Sequence, residues 1–252
     1  MKVLVIGNSQ SAALKRAHEP RAENLRAKGF DCHFYVILGG SGPDFLIEDD
    51  RLVPGKIVKT HPPFMSPAGT NEIPLKEFDA LLISALGYFD GGFRHKNLIT
   101  RAGVLADCRP RGEALKRPPV SHPCMAEIMA AALERQNGIR TLRRICETYV
   151  GPVFVQRWPH LSEAILDHQD WGLRLWYEAP AKAYRILAEL RDSAMEEIAN
   201  DIGARLLDYP DFDHPRGFSP RGMMRDSDYL HQSDAYADLI IDQLCERLGI
   251  VT

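Results

Sequence analysis

Val3 to Ile6 form an unbroken apolar run that ends at Gly7. A run with no polar alternation suits a strand covered on both faces, as in a parallel sheet. From Ser9 to Lys28 the pattern becomes helical: Ala12, Ala13 and Leu14 open it and Leu25 continues the apolar face. Pro20 is a point of breakage or kinking within this helix, and Gly29 is a C-terminal stop. Phe34 to Leu38 reads as a second strand, closed by Gly39 and Gly40. The first forty residues are therefore β-α-β, which implies a parallel strand pair with a right-handed crossover.

Residues 41 to 77 hold many prolines and glycines with short apolar pieces such as Lys56 to Val58, and read as an insertion with one small hairpin. Ala80 to Leu86 is a third core strand, ending at Gly87. Asp90 to Pro119 is polar and basic and reads as loop. Ser121 is an N-cap, with Pro123 in the first turn, for a helix through Arg135. Thr141 to Tyr149 adds a helical piece, and Val153 to Gln156 a fourth strand. Pro180 to Leu206 predicts a long helix with Ala183, Ile186, Leu187, Leu190, Ala194 and Ile198 on one face. Leu206 to Tyr209 follows as a short fifth strand. Tyr236, Ile240 and Leu244 predict a last helix from about Ser233 to Leu248. The alternation of strands and helices predicts a doubly wound α/β sandwich. With no internal repeat or linker, residues 1–252 read as one domain with insertions near 41–77 and 90–119.

Composition narrows the partners. Among the 252 residues 45% are hydrophobic and 26% charged, ordinary for a globular protein, and the net charge of -3 supplies no field toward nucleic acid or an anionic membrane. Neither nucleic acid nor a membrane is an expected partner. The five cysteines are scattered without a CxxC spacing, against a disulfide framework or zinc site and consistent with a reducing compartment. The opening strand is too short for a signal-peptide core, and no run reaches membrane-spanning length. A cytoplasmic protein is the expectation; oligomeric state is not legible.

In an open parallel sheet, ligands bind at the carboxyl ends of the strands, where strand order reverses. Ser9 falls there, two residues past the first strand and at the start of a helix. Unpaired N–H groups and the positive helix end beside its hydroxyl are suited to stabilising an oxyanion. A serine nucleophile needs a base. Asp228-Tyr229-Leu230-His231 offers one near the far end of the chain. Asp and His three apart on a tight turn can converge on one cleft, with His231 taking the Ser9 proton and Asp228 orienting the imidazole.

These motifs resemble the SGNH, or GDSL-type, hydrolases, in which a Gly-x-Ser block follows the first strand and an Asp-x-x-His block precedes the last helix. The first block here is Gly7-Asn8-Ser9, where the family usually has Gly-Asp-Ser. The second is Asp228 to His231, followed by Tyr236-Ala237 at a family-like spacing. The resemblance implies a flavodoxin-like three-layer αβα sandwich with a mostly parallel sheet. It also implies esterase, lipase, deacetylase or related acyl-transfer chemistry on a small-molecule or carbohydrate acyl ester, with no metal or organic cofactor. By the same resemblance, Gly39 or Gly40 supplies an oxyanion N–H. The family's Gly-x-Asn-Asp block corresponds to Gly87-Tyr88-Phe89-Asp90, so Phe89 stands where an Asn donor is usual. The Ser9 and Gly39/Gly40 N–H groups then suffice, or Asn97 reaches in. Gly7 to Gln10 is also similar to the Gly-Asn-Cys-Gln start of a family of suspected polysaccharide-biosynthesis acetyltransferases that bind coenzyme A, which implies acyl transfer to a sugar as an alternative.

Plainer readings stand beside these. Ser9 is also a natural helix N-cap, Asp228 an Asx-turn residue and His231 a capping residue. Gly7 to Ser11 lacks the later glycines of a dinucleotide loop. Arg94, His95, Lys96, Arg101, Arg109, Arg111, Lys116 and Arg117 have no regular period and read as a solvated loop, or as a site for an anionic group. Arg157-Trp158-Pro159-His160 follows the fourth strand and is expected to face the cleft. His122 and Cys124 head a helix but lack a nearby Asp or Asn to complete a thiol site. Trp171, Trp176 and Tyr177 form an aromatic group suited to a lid, a dimer surface or a satellite core. A non-catalytic glycan- or anion-binding domain on the same fold is the rival from another class, favoured by Asn8 and Phe89 in place of the usual Asp and Asn.

Overall fold

The computed structural model describes residues 1–36, 45–54, 72–84, 102–168, 172–211, 217–225 and 228–251. Strand β1 (Lys2–Gly7) leads into helix α1 (Ser9–His18), a short 3-10 turn (Glu19–Arg21) and helix α2 (Ala22–Ala27). The single helix expected over 9–28 is thus divided at Pro20. Proline has no N–H to donate and its ring crowds the preceding turn, so the chain re-enters helix only after the 3-10 turn. Gly29 ends the segment at φ +87°, a conformation glycine adopts without a Cβ penalty.

Strand β2 (Asp31–Val36) starts earlier than the expected Phe34. It is an edge strand, so its outer positions tolerate polar residues and the apolar run marks only part of it. The segment expected as one hairpin carries β3 (Phe45–Glu48), β4 (Arg51–Pro54) and β5 (Ile73–Pro74), an antiparallel three-stranded sheet. Strand β6 (Ala80–Ser84) follows. The stretch expected as loop contains the parallel pair β7 (Val104–Leu105) and β8 (Pro119–Val120), with a 3-10 turn between them. Helices α3 (His122–Glu134) and α4 (Asn137–Thr148) come next, α3 capped by the Ser121 hydroxyl as expected.

Strand β9 (Val153–Gln156) matches the expected residues. Helix α5 (Pro180–Ile202) stops short of the expected Leu206, because Gly203 takes the left-handed C-cap at φ +72°. Strand β10 (Arg205–Leu206) therefore begins where helix was expected. Finally β11 (Met224–Arg225) and β12 (Asp228–Gln232) form an antiparallel ribbon, followed by helix α6 (Asp234–Arg247) with Ser233 as its N-cap.

The main sheet has the order β10-β9-β6-β1-β2 with every pair parallel. In terms of its own strands this is 2-1-3-4-5, the flavodoxin-like order, and the order reverses between β1 and β6. Side chains alternate across the sheet and separate into two cores. Val3, Val5, Ala80, Leu82 and Phe154 pack with α1, α2 and α6, while Leu4, Ile6, Leu81, Ile83, Val153 and Val155 pack with α3, α4 and α5. Burial on both faces explains why β1, β6 and β9 read as continuous apolar runs. The five cysteines are free. Among the described residues, no helix is long and apolar enough to cross a membrane.

Candidate active site at the carboxyl edge of the sheet

Gly7 ends β1 where β6 and α1 converge. A Cβ there would lie 2.0 Å from both Ser11 Oγ and the Ser84 carbonyl oxygen, so only glycine permits this approach. Asn8 is the N-cap of α1, its side chain accepting from the Gln10 N–H at 3.1 Å. The capping role available to Ser9 is therefore taken by its neighbour, and Ser9 becomes the first helical residue. Its Oγ lies 2.8 Å from His231 Nε2, across 222 residues of sequence. With Nε2 unprotonated, the hydroxyl donates to it, which is the contact a nucleophile makes with its base. Both residues are partly exposed. No described residue accepts a hydrogen bond from the Ser9 N–H, as expected of a first-turn donor.

His231 is on β12, and Asp228 begins the same strand, paired with Arg225 of β11. The tight turn expected for this tetrapeptide is therefore replaced by extended backbone. Pairing with Met224 and Arg225 draws it into a ribbon, an interaction between segments that local propensity does not encode. The Asp228 side chain lies outside the described residues, as do Gly39, Gly40, Gly87, Phe89, Asn97 and Trp171.

Behind Ser9 and His231 runs a buried neutral network that the sequence pattern did not single out. Gln232 donates its N–H to Gln10 Oε1 (3.0 Å) and its Nε2 to the Gln10 carbonyl (2.8 Å). Gln156 Nε2 donates to Gln232 Oε1 (2.6 Å), and Ser84 Oγ donates to Gln156 Oε1 (2.6 Å). All four residues are at most 1% exposed. The available signal was polar residues closing the apolar runs of β6 and β9, and a glutamine directly after both Ser9 and His231.

No family model matches this chain. No curated protein matches it in sequence. Several solved structures align with it over nearly the whole chain at low sequence identity. LAE5, an alpha/beta hydrolase enzyme from the metagenome of Lake Arreo, Spain, is 11% identical with a TM-score of 0.45, over 98% of this chain and 94% of that one. A variant of Axe2, an acetyl xylan esterase from Geobacillus stearothermophilus, is 9% identical with a TM-score of 0.49, over 100% and 95%. Phospholipase A1 from Streptomyces albidoflavus NA297 is 13% identical with a TM-score of 0.48, over 97% and 98%.

The other expected positions have structural duties. Arg157 pairs with Glu196 at 2.7 Å. The Trp158 carbonyl oxygen lies 3.2 Å from the Tyr209 hydroxyl, and His160 stacks on the Tyr209 ring with centroids 4.3 Å apart. Arg191, 1% exposed, donates to Asp192 Oδ1 (2.6 Å) and to the Tyr209 hydroxyl (2.7 Å). Tyr209 in turn donates to Asp192 Oδ2 (2.8 Å). These contacts tie the residues after β9 to α5. Trp176 and Tyr177 are buried, and the Tyr177 hydroxyl accepts from the Leu105 N–H (2.9 Å), so this pair forms part of the core. Arg109, Arg111, Lys116 and Arg117 lie on the surface, Arg109 paired with Glu178 at 3.2 Å. Cys124 is exposed at the head of α3. Among the described residues there is no group of three or more His, Cys, Asp or Glu able to hold a metal ion.

Proposed function

We propose that this protein is a serine hydrolase of the SGNH type that cleaves an ester or acyl group of a small molecule or carbohydrate. The 2.8 Å approach of Ser9 Oγ to His231 Nε2 carries the reading. It joins a hydroxyl at the head of α1 to an imidazole from the opposite end of the chain, at the edge where an open parallel sheet binds its ligands.

In the proposed reaction Ser9 Oγ attacks the carbonyl carbon as its proton passes to His231 Nε2. The Ser9 N–H, at the positive end of α1, stabilises the oxyanion, with Gly39, Gly40, Gly87 or Asn97 as candidate further donors. Collapse breaks the bond to the leaving alkoxide, which takes the proton from His231, and an acyl-Ser9 ester remains. Water, deprotonated by His231, then attacks that ester, and Ser9 recovers its proton as the acid leaves. Asp228, three residues before His231, is assigned the role of holding the imidazole tautomer and stabilising the imidazolium.

A fluorophosphonate probe tests the reading. Stoichiometric labelling at Ser9 is expected, with loss of labelling in Ser9→Ala and a fall of at least about a thousandfold in His231→Ala. A folded protein that does not label, or a Ser9→Ala variant that labels equally well, refutes it. A panel of short-chain aryl esters and acetylated sugars, run with and without a sugar acceptor, then separates hydrolysis from acyl transfer.

A further inference from the structure

Ser9 and His231 are carried by elements that share no strand ladder. Helix α1 follows β1 of the main sheet, whereas β12 belongs to a separate two-stranded ribbon. The hydrogen bonds of the main sheet therefore leave the distance between the two side chains unset. Helix α6, which follows β12, packs on α1 and brings the two elements together. Beside the site itself they are joined by the residues one position further along, Gln10 and Gln232, through the two bonds described above, one to a side chain from a backbone N–H and one to a backbone carbonyl from a side chain. The Gln232 amide is itself oriented by Gln156, and Gln156 by Ser84, at the carboxyl ends of β9 and β6.

We propose that Gln10 and Gln232 are positioning residues that set the Ser9–His231 distance by clamping the head of α1 to β12, with Gln156 and Ser84 anchoring the clamp to the sheet; this rests on the serine-hydrolase reading. The chemistry suits positioning better than adhesion. A neutral buried hydrogen bond adds little net stability over apolar packing of the same shape, but it is directional and short. Two bonds to the residue beside His231 restrict both translation and rotation of the backbone that carries the imidazole. Apolar side chains at the same positions would fill the space yet leave β12 free to slide by a fraction of an ångström. Misplacements of this order cost acyl-transfer chemistry far more than they cost binding.

The test uses the full chain and the variants Gln232→Met and Gln10→Met, which keep side-chain length and remove the polar atoms. Gln10→Met is the milder variant, because the Gln10 carbonyl still accepts from Gln232. The readouts are the rate of fluorophosphonate labelling at Ser9 against pH, kcat and KM on an aryl ester, and the melting temperature. The expected result is a fall of about 10- to 100-fold in labelling rate and kcat, with a displaced pH midpoint and a KM within about twofold of the parent. Labelling at the parent rate and pH midpoint in either folded variant overturns the clamp while leaving the hydrolase reading intact. No labelling of the parent chain defeats the hydrolase reading and the clamp with it. Loss of the fold in both variants assigns the network to stability alone and likewise overturns the proposal.

Discussion

Gln10, Ser84, Gln156 and Gln232 form a neutral chain at the carboxyl edge of the sheet, whereas Arg191, Asp192 and Tyr209 form a charged set between α5 and the residues that follow β9 and β10. Both are buried, but they answer different demands. The charged set must first compensate its own desolvation. Burial opposes the Arg191 charge, and Asp192, together with Tyr209 and Tyr184, more than offsets it, so the guanidinium stays firmly protonated. Burial likewise pushes the Tyr209 hydroxyl well above its usual range, so it remains a neutral donor. The neutral chain carries a smaller desolvation cost, which its hydrogen bonds compensate. Its contacts fall beside the nucleophile and base assigned above, while those of the charged set pin the chain after β9 onto a helix. On the proposals above, loss of the charged set is felt in the fold and loss of the neutral chain in the geometry of the site.

Asp192→Ala breaks the comparison most forcefully. Removing the carboxylate beside a charge that is 1% exposed should cost about 3 kcal/mol of stability, read from urea or thermal unfolding, with kcat per folded molecule within about twofold of the parent. A variant as stable as the parent, or a fall in kcat without a fall in stability, would erase the distinction. Tyr209→Phe sharpens it with a smaller effect. It removes one hydroxyl that bridges Arg191 and Asp192, for an expected loss of about 1–2 kcal/mol, again with labelling at Ser9 unchanged.

The smallest effect concerns pH and lies outside both assemblies. His18, at the end of α1, is buried against the rings of Phe34 and Phe30. Burial, and then the nearby Arg26, hold its pKa below the ordinary 6.5. Between that lowered value and 6.5 the unfolded chain binds the proton first. The His18 contribution is therefore intact above pH 6.5 and is lost as pH falls from 6.5 through the folded pKa. His18→Gln should flatten this acid limb in unfolding measured from pH 5 to 8, and a limb unchanged in the variant would move its origin elsewhere.

Much of the frame is legible in the sequence alone. The runs Val3–Ile6 and Val153–Gln156 read as strands because burial on both faces removes polar alternation. The repeat of Tyr236, Ile240 and Leu244 read as a helix because one face meets a core. Boundaries were less legible where a single residue decides them. Gly203 ended α5 before the expected Leu206, and Pro20 divided the first helix. The ribbon β11–β12 leaves no pattern in the sequence because its strands are short and pair with each other away from the main sheet.

For the candidate site the division is sharper. The pattern of strand, glycine and helix start is local, and it is enough to put Ser9 at the carboxyl edge of an α/β sheet. Whether Ser9 caps α1 or faces a partner was decided by the backbone at Asn8, which takes the cap. That His231 is that partner, and that Gln10 meets Gln232 behind them, depends on contacts across more than two hundred residues. Neutral amides and hydroxyls show no period along the chain that would announce such contacts. Only the packing of α6 and β12 against α1 brings them together.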